Sequence, residues 1–376
     1  MILITLLGDD LSILTPIIYE FKDQINHHII VHDDASDDSR RAIQLRNGLA
    51  RFSGEKAFKF ETTLVALDED SKNDIVRLYH TVRATYEGEI LLHSTQGFAS
   101  FALILSNLVL ADGGKVVTYD ARDNELNTIE GTTITRSKLE SRLSVKDYIS
   151  LLNYEVLDAE RHLYLLKRKE RVLNLFKDHN RFLLLRNALT KDDNYFDYDS
   201  HGDMLDILSS LEIVDENQRL IPSEKMILEG TLFEEYVFWL CEKMGFDDIA
   251  LGVKIDFDQG NETKQQNRVM NEFDILMTHN NRMYTVECKM VRLLDGLEYV
   301  YKYDGLVDIL GYGSKAILLN VSKQEMEAYQ STKISKNFRP SAIRRARMND
   351  IEIYHDTHIN PIIFSNLLRN FFNLPQ

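Results

Sequence analysis

Along the first 150 residues, short apolar runs alternate with stretches whose apolar positions recur at helical spacing. MILITLL, HHIIVHDD, FETTLVAL, EILLHST and KVVTYD read as buried strands. The segment Leu11–Phe21, KNDIVRLYHTVRAT and GFASFALILSNLVLA read as helices between them. This βα alternation predicts a mostly parallel sheet with helices on its faces. Ligands of such sheets lie beyond the carboxyl ends of the strands.

Two of those strand ends carry small and hydroxyl residues. One is Gly8-Asp9-Asp10, with Ser12, Thr15 and Pro16 following; the other is Ser94-Thr95-Gln96-Gly97, running into the helix from Phe98. Backbone N–H groups at such turns can approach an anion at a helix N-terminus. The same residues serve equally well as ordinary turns and N-caps. No GxGxxG and no GxxxxGK[ST] occurs, which leaves dinucleotide and P-loop readings without support.

After residue 150 the pattern changes. Between Arg161 and Thr190 eight Lys/Arg stand against two acids, with Leu163, Leu165, Leu166, Val172, Leu173, Leu175 and Phe176 as a helical apolar component. This stretch fits a solvated bridging helix, a positive wall toward nucleic acid, or a contact between subunits. DMLDILSSLEIVD and RLIP add a small helix and a short strand.

The last third carries the sharpest chemistry. EGTLFEEYVFWLCEKMG predicts a helix closed by Gly245. At 100° per residue, Thr231, Glu235 and Glu242 form a polar stripe, while Glu234 falls between Cys241 and Phe238. Glu234 is therefore expected among apolar side chains, where a carboxylate needs a partner or a cation, and Glu235 is expected to be an ordinary exposed acid or a group supporting the site from behind. NEFDILMTHNNRMYTVECKM predicts a hairpin turning at His279-Asn280-Asn281-Arg282. Its period of two sets Asp274 opposite Phe273 and Ile275, and puts Glu287 and Lys289 on one face. Asp274 and Glu287 offer hard oxygen ligands for Mg²⁺ or Mn²⁺, to which the Cys288 backbone carbonyl and Glu234 can add. Lys289 is placed to meet a phosphate or its attacking water. Coincidental surface ion pairs are the competing explanation.

The chain has 376 residues, a formal charge of −15, and only two cysteines, Cys241 and Cys288. That excludes a disulfide scaffold and a four-cysteine zinc site. The acidic balance argues against non-specific coating of nucleic acid but leaves room for a local polyanion site. The start, MILITLLGDD, has no basic leader, and FALILSNLVL is too short to span a bilayer. A soluble, cytoplasmic protein is expected. His27, His28, His32, His355 and His358 lack metal-site spacing and are expected to be structural or exposed, as Trp239 is expected to be core.

Gly230-Thr231-Leu232-Phe233-Glu234-Glu235-Tyr236-Val237, Asn271-Glu272-Phe273-Asp274-Ile275-Leu276 and Val286-Glu287-Cys288-Lys289 resemble, in order, the motifs of PD-(D/E)xK nucleases. More narrowly they resemble the nuclease halves of Card1/Can2-type CRISPR ancillary nucleases. The stretch Tyr299–Leu306 and the Gly311-Tyr312-Gly313 turn before AILLN fit the same core. The resemblance implies a Rossmann-like CARF sensor over 1–150, a helical bridge over 151–224 and a restriction-endonuclease-like domain over 225–376. It implies catalytic roles for Glu234, Asp274, Glu287 and Lys289, and a Mn²⁺ or Mg²⁺ cofactor held by Glu234, Asp274, Glu287 and the Cys288 carbonyl. It also implies a cyclic oligoadenylate activator, usually tetra-adenylate, at Gly8, Asp9, Asp10, Ser94, Thr95, Gln96 and Gly97. Phe98 departs from the pattern, standing where some relatives have a Lys. The implied protein is a homodimeric endonuclease of type III CRISPR defence that cuts DNA, RNA or both, with no membrane partner. A ring nuclease consuming the messenger and a non-catalytic nucleic-acid-binding regulator are the alternatives.

Overall fold

The computed structural model describes residues 1–34, 36–52, 56–68, 71–159, 162–190, 198–257, 270–290, 297–321, 340–355 and 359–374. The polar stretch Asn261–Val269, Arg161, Arg339 and His358 lie outside the described residues.

The first sheet contains β1 (Ile2–Leu6), β2 (His27–Asp33), β3 (Glu61–Leu67), β4 (Ile90–His93), β5 (Lys115–Asp120), β6 (Glu125–Glu130) and β7 (Thr133–Lys138). Its order is β3-β2-β1-β4-β5-β6-β7. The first five are parallel, as the apolar runs predict, and β6–β7 extends the sheet as an antiparallel hairpin. β1 and β4 are buried at every position, because helices cover both faces. α1 (Leu11–Glu20), α2 (Ser36–Ala50) and α5 (Val145–Leu151) pack on one face; α3 (Lys72–Thr85) and α4 (Ala99–Ala111) pack on the other.

The second sheet has the order β13-β12-β11-β10-β9-β8. These strands are β8 (Glu155–Asp158), β9 (Asp248–Asp256), β10 (Met270–His279), β11 (Arg282–Lys289), β12 (Lys315–Asn320) and β13 (Ile351–His355). β8 to β11 run antiparallel, and β11 to β13 parallel. The segment after residue 150 thus first gives an edge strand to this sheet. It then forms α6 (His162–Leu175), α7 (His179–Thr190) and α8 (Tyr198–Ser210), with one isolated bridge between Val214 and Leu220. α9 (Leu232–Glu242), α10 (Leu297–Ile309), α11 (Pro340–Met348) and α12 (Pro361–Phe372) complete the chain.

The two sheets share a core. Leu3, Leu14, Ile17 and Tyr148 from the first half pack in one cluster with Val253, Phe273, Leu276, Val300, Leu306 and Ile351 from the second. The helices α6 to α9 and α12 cover the outer face of the second sheet around Trp239, Phe233 and Tyr284. The predicted hairpin turn forms with Asn280 and Asn281 at φ 51 and 57, the left-handed pair that a two-residue hairpin requires. Asn281 also docks the turn onto the first half. Its Nδ2 donates to Asn124 Oδ1 and Ser141 O (both 3.1 Å), and its Oδ1 accepts from Leu143 N (3.0 Å).

Two histidines lie inside the first sheet. His28 meets Thr5 Oγ1 at 3.0 Å and Thr62 Oγ1 at 3.2 Å, and His93 meets Thr95 Oγ1 at 2.8 Å. Burial lowers both to about 3, the His93 charge adding to the effect at His28. A neutral histidine of this kind contributes stability above its unfolded pKa near 6.5, and that contribution is lost as pH falls toward 3. Thermal melting of the wild type should therefore drop on acidification from pH 7 to 4.5 more steeply than that of His28→Gln. Parallel slopes would show that His28 is not buried as the neutral form.

Candidate functional site

The chemistry gathers where the hairpin comes apart. The β10–β11 ladder stops at Ile275–Val286, one position before Asp274 would face Glu287. On the other side, the β9–β10 register runs through Phe273–Val253 and Ile275–Leu251 but skips the position where Gly252 faces Asp274. Gly252 has φ +61, a backbone turn that a side chain would resist. Across this break the side chains change face: Phe273 joins the core between the sheets, whereas Ile275 joins the outer core. Strict alternation, which would give Phe273 and Ile275 one face, fails here because the ladder is interrupted.

The freed backbone is satisfied by the carboxylate itself. Cys288 N–H donates to Asp274 Oδ2 at 2.7 Å. Lys289 Nζ lies 3.7 Å from the same oxygen and forms a short ion pair with Glu287 Oε1. Burial, reinforced by the charges of Glu287 and Glu234, holds the Asp274 carboxyl well above its ordinary range. Burial alone would lower the Lys289 ammonium; Asp274 and Glu287 outweigh it and raise it instead. Glu287 is 3% exposed, and its Oε2 has no hydrogen-bond partner. Three carboxylates thus act within one charge cluster against one lysine, a donor set that fits a hard divalent cation. Among the described residues, no three His, Cys, Asp or Glu side chains converge as a ready cation shell. Lys289 stands against both Asp274 and Glu287.

The two glutamates of α9 exchange the expected environments. Glu235 is 1% exposed, and Arg168 Nε of α6 lies 3.3 Å from its Oε2. Glu234 is half-buried and lines an open cleft of about 380 Å³ with Asp158, Tyr164, Thr231, Lys254 and Glu272. The helix projection takes one covered face; α9 has two, because α6 lies over Glu235 and Glu242. Lys169 continues that seam, 3.2 Å from Glu242 Oε2 and 4.3 Å from the centre of the Trp239 ring. Arg181 pairs with Asp203, and Arg186 is buried. Arg168, Lys169 and Arg186 are therefore spent on the protein itself, while Lys167, Arg171 and Lys177 stay exposed. Further basic residues follow in α11: Arg345 reaches Asp304 at 3.5 Å and Arg347 reaches Glu352 at 3.2 Å, while Arg344 is exposed.

At the first sheet, Gly8, Asp9, Gln96 and Gly97 line one cavity of about 460 Å³, together with Leu7, Asp33, Asp38, Arg41 and Phe98. The other three expected loop residues are occupied elsewhere. Asp10 caps α1, accepting from Ser12 N at 2.8 Å. Ser94 N donates to Val117 O, and Thr95 Oγ1 accepts from Tyr119 N. Arg41 was not anticipated, because it lies in the second turn of α2 and not in a strand-end loop. Its proximity to Asp33, at the end of β2, was the available signal. It pairs with Asp9 at 3.1 Å and with Asp38.

An α/β half with a mostly parallel sheet, joined to a nuclease-like half, is the class that this geometry defines. Residues 223–354 match the family model described as Card1-like, endonuclease domain. Along nearly its whole length the chain is similar in fold to protein VC1899 from Vibrio cholerae: TM-score 0.75 and 15% identity, covering 99% of this chain and 98% of that one. It is similar as well to Can2 from Sulfobacillus thermosulfidooxidans, solved in complex with cyclic tetra-adenylate: TM-score 0.70 and 15% identity, with 99% of each chain covered. A type III CRISPR defence DNA nuclease activated by cyclic oligoadenylate aligns at TM-score 0.51 and 14% identity, over 86% of this chain and 46% of that one. No curated protein sequence matches significantly. Residues 223–354 are thus similar to a Card1-like endonuclease domain, and the whole chain shares the fold of Can2, as its motifs led us to expect. Among the described residues, no helix is long and apolar enough to cross a membrane.

The reversal at α9 separates structure from chemistry. Glu235→Ala leaves Arg168 buried opposite an empty site and should cost about 3 kcal/mol of stability or more. Glu234→Ala should melt close to the wild type. Denaturant titration of the two variants checks this, and equal losses would contradict the assignment.

Proposed function

We propose that this protein is a cyclic-oligoadenylate-activated, metal-dependent endonuclease that hydrolyses phosphodiester bonds in DNA, RNA or both, as a cytoplasmic homodimer in type III CRISPR antiviral defence. The observation that carries the reading is the buried excess of carboxylate at the β10–β11 break, inside the region that matches the Card1-like endonuclease domain. Asp274, Glu287, Glu234 and the Cys288 carbonyl would hold Mn²⁺ or Mg²⁺. Such a cation supplies charge to the phosphate oxygens and acidifies a bound water.

The chain's own groups divide the remaining work. Asp274 bonds the Cys288 N–H, which fixes the carboxylate's direction and holds the two strand ends at their splayed spacing. Lys289 is kept protonated by Asp274 and Glu287, so it donates to a phosphate oxygen and does not take up a proton. Glu234 reaches the cluster from α9 and also lines the open cleft, the side from which a polynucleotide would approach.

For the activator, the likeness to Can2 bound to cyclic tetra-adenylate favours the tetra-adenylate ring. The strand-end cavity would receive it, with backbone at Gly8 and Gly97 and the Arg41 guanidinium facing its phosphates. Arg41 would then exchange Asp9, which is almost wholly exposed, for a phosphate. A two-fold dimer presents two equal loop sets to a symmetric ring.

The test is cleavage of labelled RNA, single-stranded DNA and plasmid, with and without cyclic tri-, tetra- and hexa-adenylate, in Mn²⁺ or Mg²⁺. Lys289→Ala should lose about 100-fold in kcat, the scale of a lost charge-stabilising donor, while binding the messenger normally. Arg41→Ala should do the converse, binding messenger about tenfold more weakly and cutting at full rate once saturated. Wild-type cleavage that ignores every messenger would remove the sensor role. Undiminished cutting by folded Lys289→Ala would remove the site.

A further inference from the structure

One side chain connects the sensor cavity to the nuclease half. Ser12 opens α1, two residues beyond Asp10. Its N–H and its Oγ–H both donate to Asp10 Oδ1, at 2.8 and 2.5 Å. The same Oγ accepts from the Tyr312 N–H at 2.9 Å, 300 positions further along the chain. Asp10 N–H in turn donates to Gln96 Oε1 at 3.2 Å, and Gln96 lines the cavity. Hydrogen bonds therefore run without a gap from both strand-end loops to the turn that closes α10. The approach is tight. A Cβ on Gly311, at φ +96, would lie 2.4 Å from Ser12 Cβ and Oγ, so only glycine fits there. Tyr148 Oη adds a second clasp, donating to Leu310 O at 2.7 Å.

The helix that ends in this turn also reaches the nuclease site. Tyr303 is 1% exposed, and its hydroxyl lies beside Glu287. Both that hydroxyl and Glu287 Oε2 are buried, and the hydroxyl is within reach of the carboxylate. A buried tyrosine hydroxyl beside a carboxylate fixes the direction in which that carboxylate presents its oxygens. Helix α10 is braced by α11. Arg345 reaches Asp304 and stacks 4.4 Å from the centre of the Tyr301 ring.

We infer that α10 is the coupling element of this protein: Ser12 holds its C-terminal turn to the sensor loops, and Tyr303 in its middle is the positioning residue for the Glu287 carboxylate. A ligand that draws Gln96 or Asp10 toward itself changes the hold on the turn, and the Tyr303 hydroxyl carries that change to Glu287. This rests on the ligand-activated nuclease reading above and assigns the route by which activation travels.

A double-mutant cycle tests it in the full-length protein. Tyr303→Phe removes only the hydroxyl; it should lower messenger-stimulated kcat about tenfold, with KM, messenger affinity and melting temperature unchanged. A packing role alone would lower the melting temperature and leave kcat intact. Ser12→Ala should lower stimulated kcat by a similar factor, and the double variant should fall no further than either single one. Losses that multiply, or a Tyr303→Phe enzyme with wild-type kcat, would overturn the inference. A second arm needs neither messenger nor catalysis. In Ser12→Ala, hydrogen exchange should quicken at the Tyr312 amide and along α10 as well. If the wild type cuts nothing under any messenger, the nuclease reading fails and this arm decides the coupling alone. Faster exchange confined to Tyr312 would refute it.

Discussion

Glu287 and Asp274 are held in the interior with a single ammonium between them and the charge of a third carboxylate, Glu234, close by. Burying like charges together is costly, and nothing in a hydrophobic core makes up that cost. The surrounding structure is arranged around this constraint. The hairpin ladder ends one residue early so that Asp274 can accept the Cys288 N–H. The chain reverses its faces at Gly252 and Asp274, and α9 brings Glu234 up from the outer side. Stability is given up locally where chemistry requires charge.

The same economy governs the basic residues. A stretch that looks in isolation like a surface for nucleic acid is partly neutralised by the nuclease-like helix beside it, through Arg168–Glu235 and Lys169–Glu242. The two halves are likewise not beads on a linker. They share one apolar core, the Asn281 turn is locked to Asn124 and Ser141, and α10 abuts Ser12. A change in one half has little room to remain local.

Period and turn chemistry made much of this legible. The parallel strands β1 to β5, the Asn280-Asn281 hairpin and the shared face of Glu287 and Lys289 follow from side-chain alternation and from the residues that tolerate positive φ. What was not legible depended on a second element arriving from elsewhere. The environments of Glu234 and Glu235 are exchanged because α6 covers a face that one helix alone leaves open. The polar strand β7, exposed at every position, carries no apolar alternation to announce it. Arg41 reaches the sensor cavity only because β1 and β2 pair in parallel and bring α2 beside the first loop.

Cation binding by the intact protein, watched directly, tests the central claim without relying on turnover. Titrating Mn²⁺ and following the free-ion electron paramagnetic resonance signal should show at least one bound ion per chain in the wild type. That ion should be absent from Asp274→Asn, which keeps the side chain's size and removes its charge. Equal Mn²⁺ binding by the two proteins, both folded, would contradict the claim that this buried carboxylate cluster exists to hold a metal.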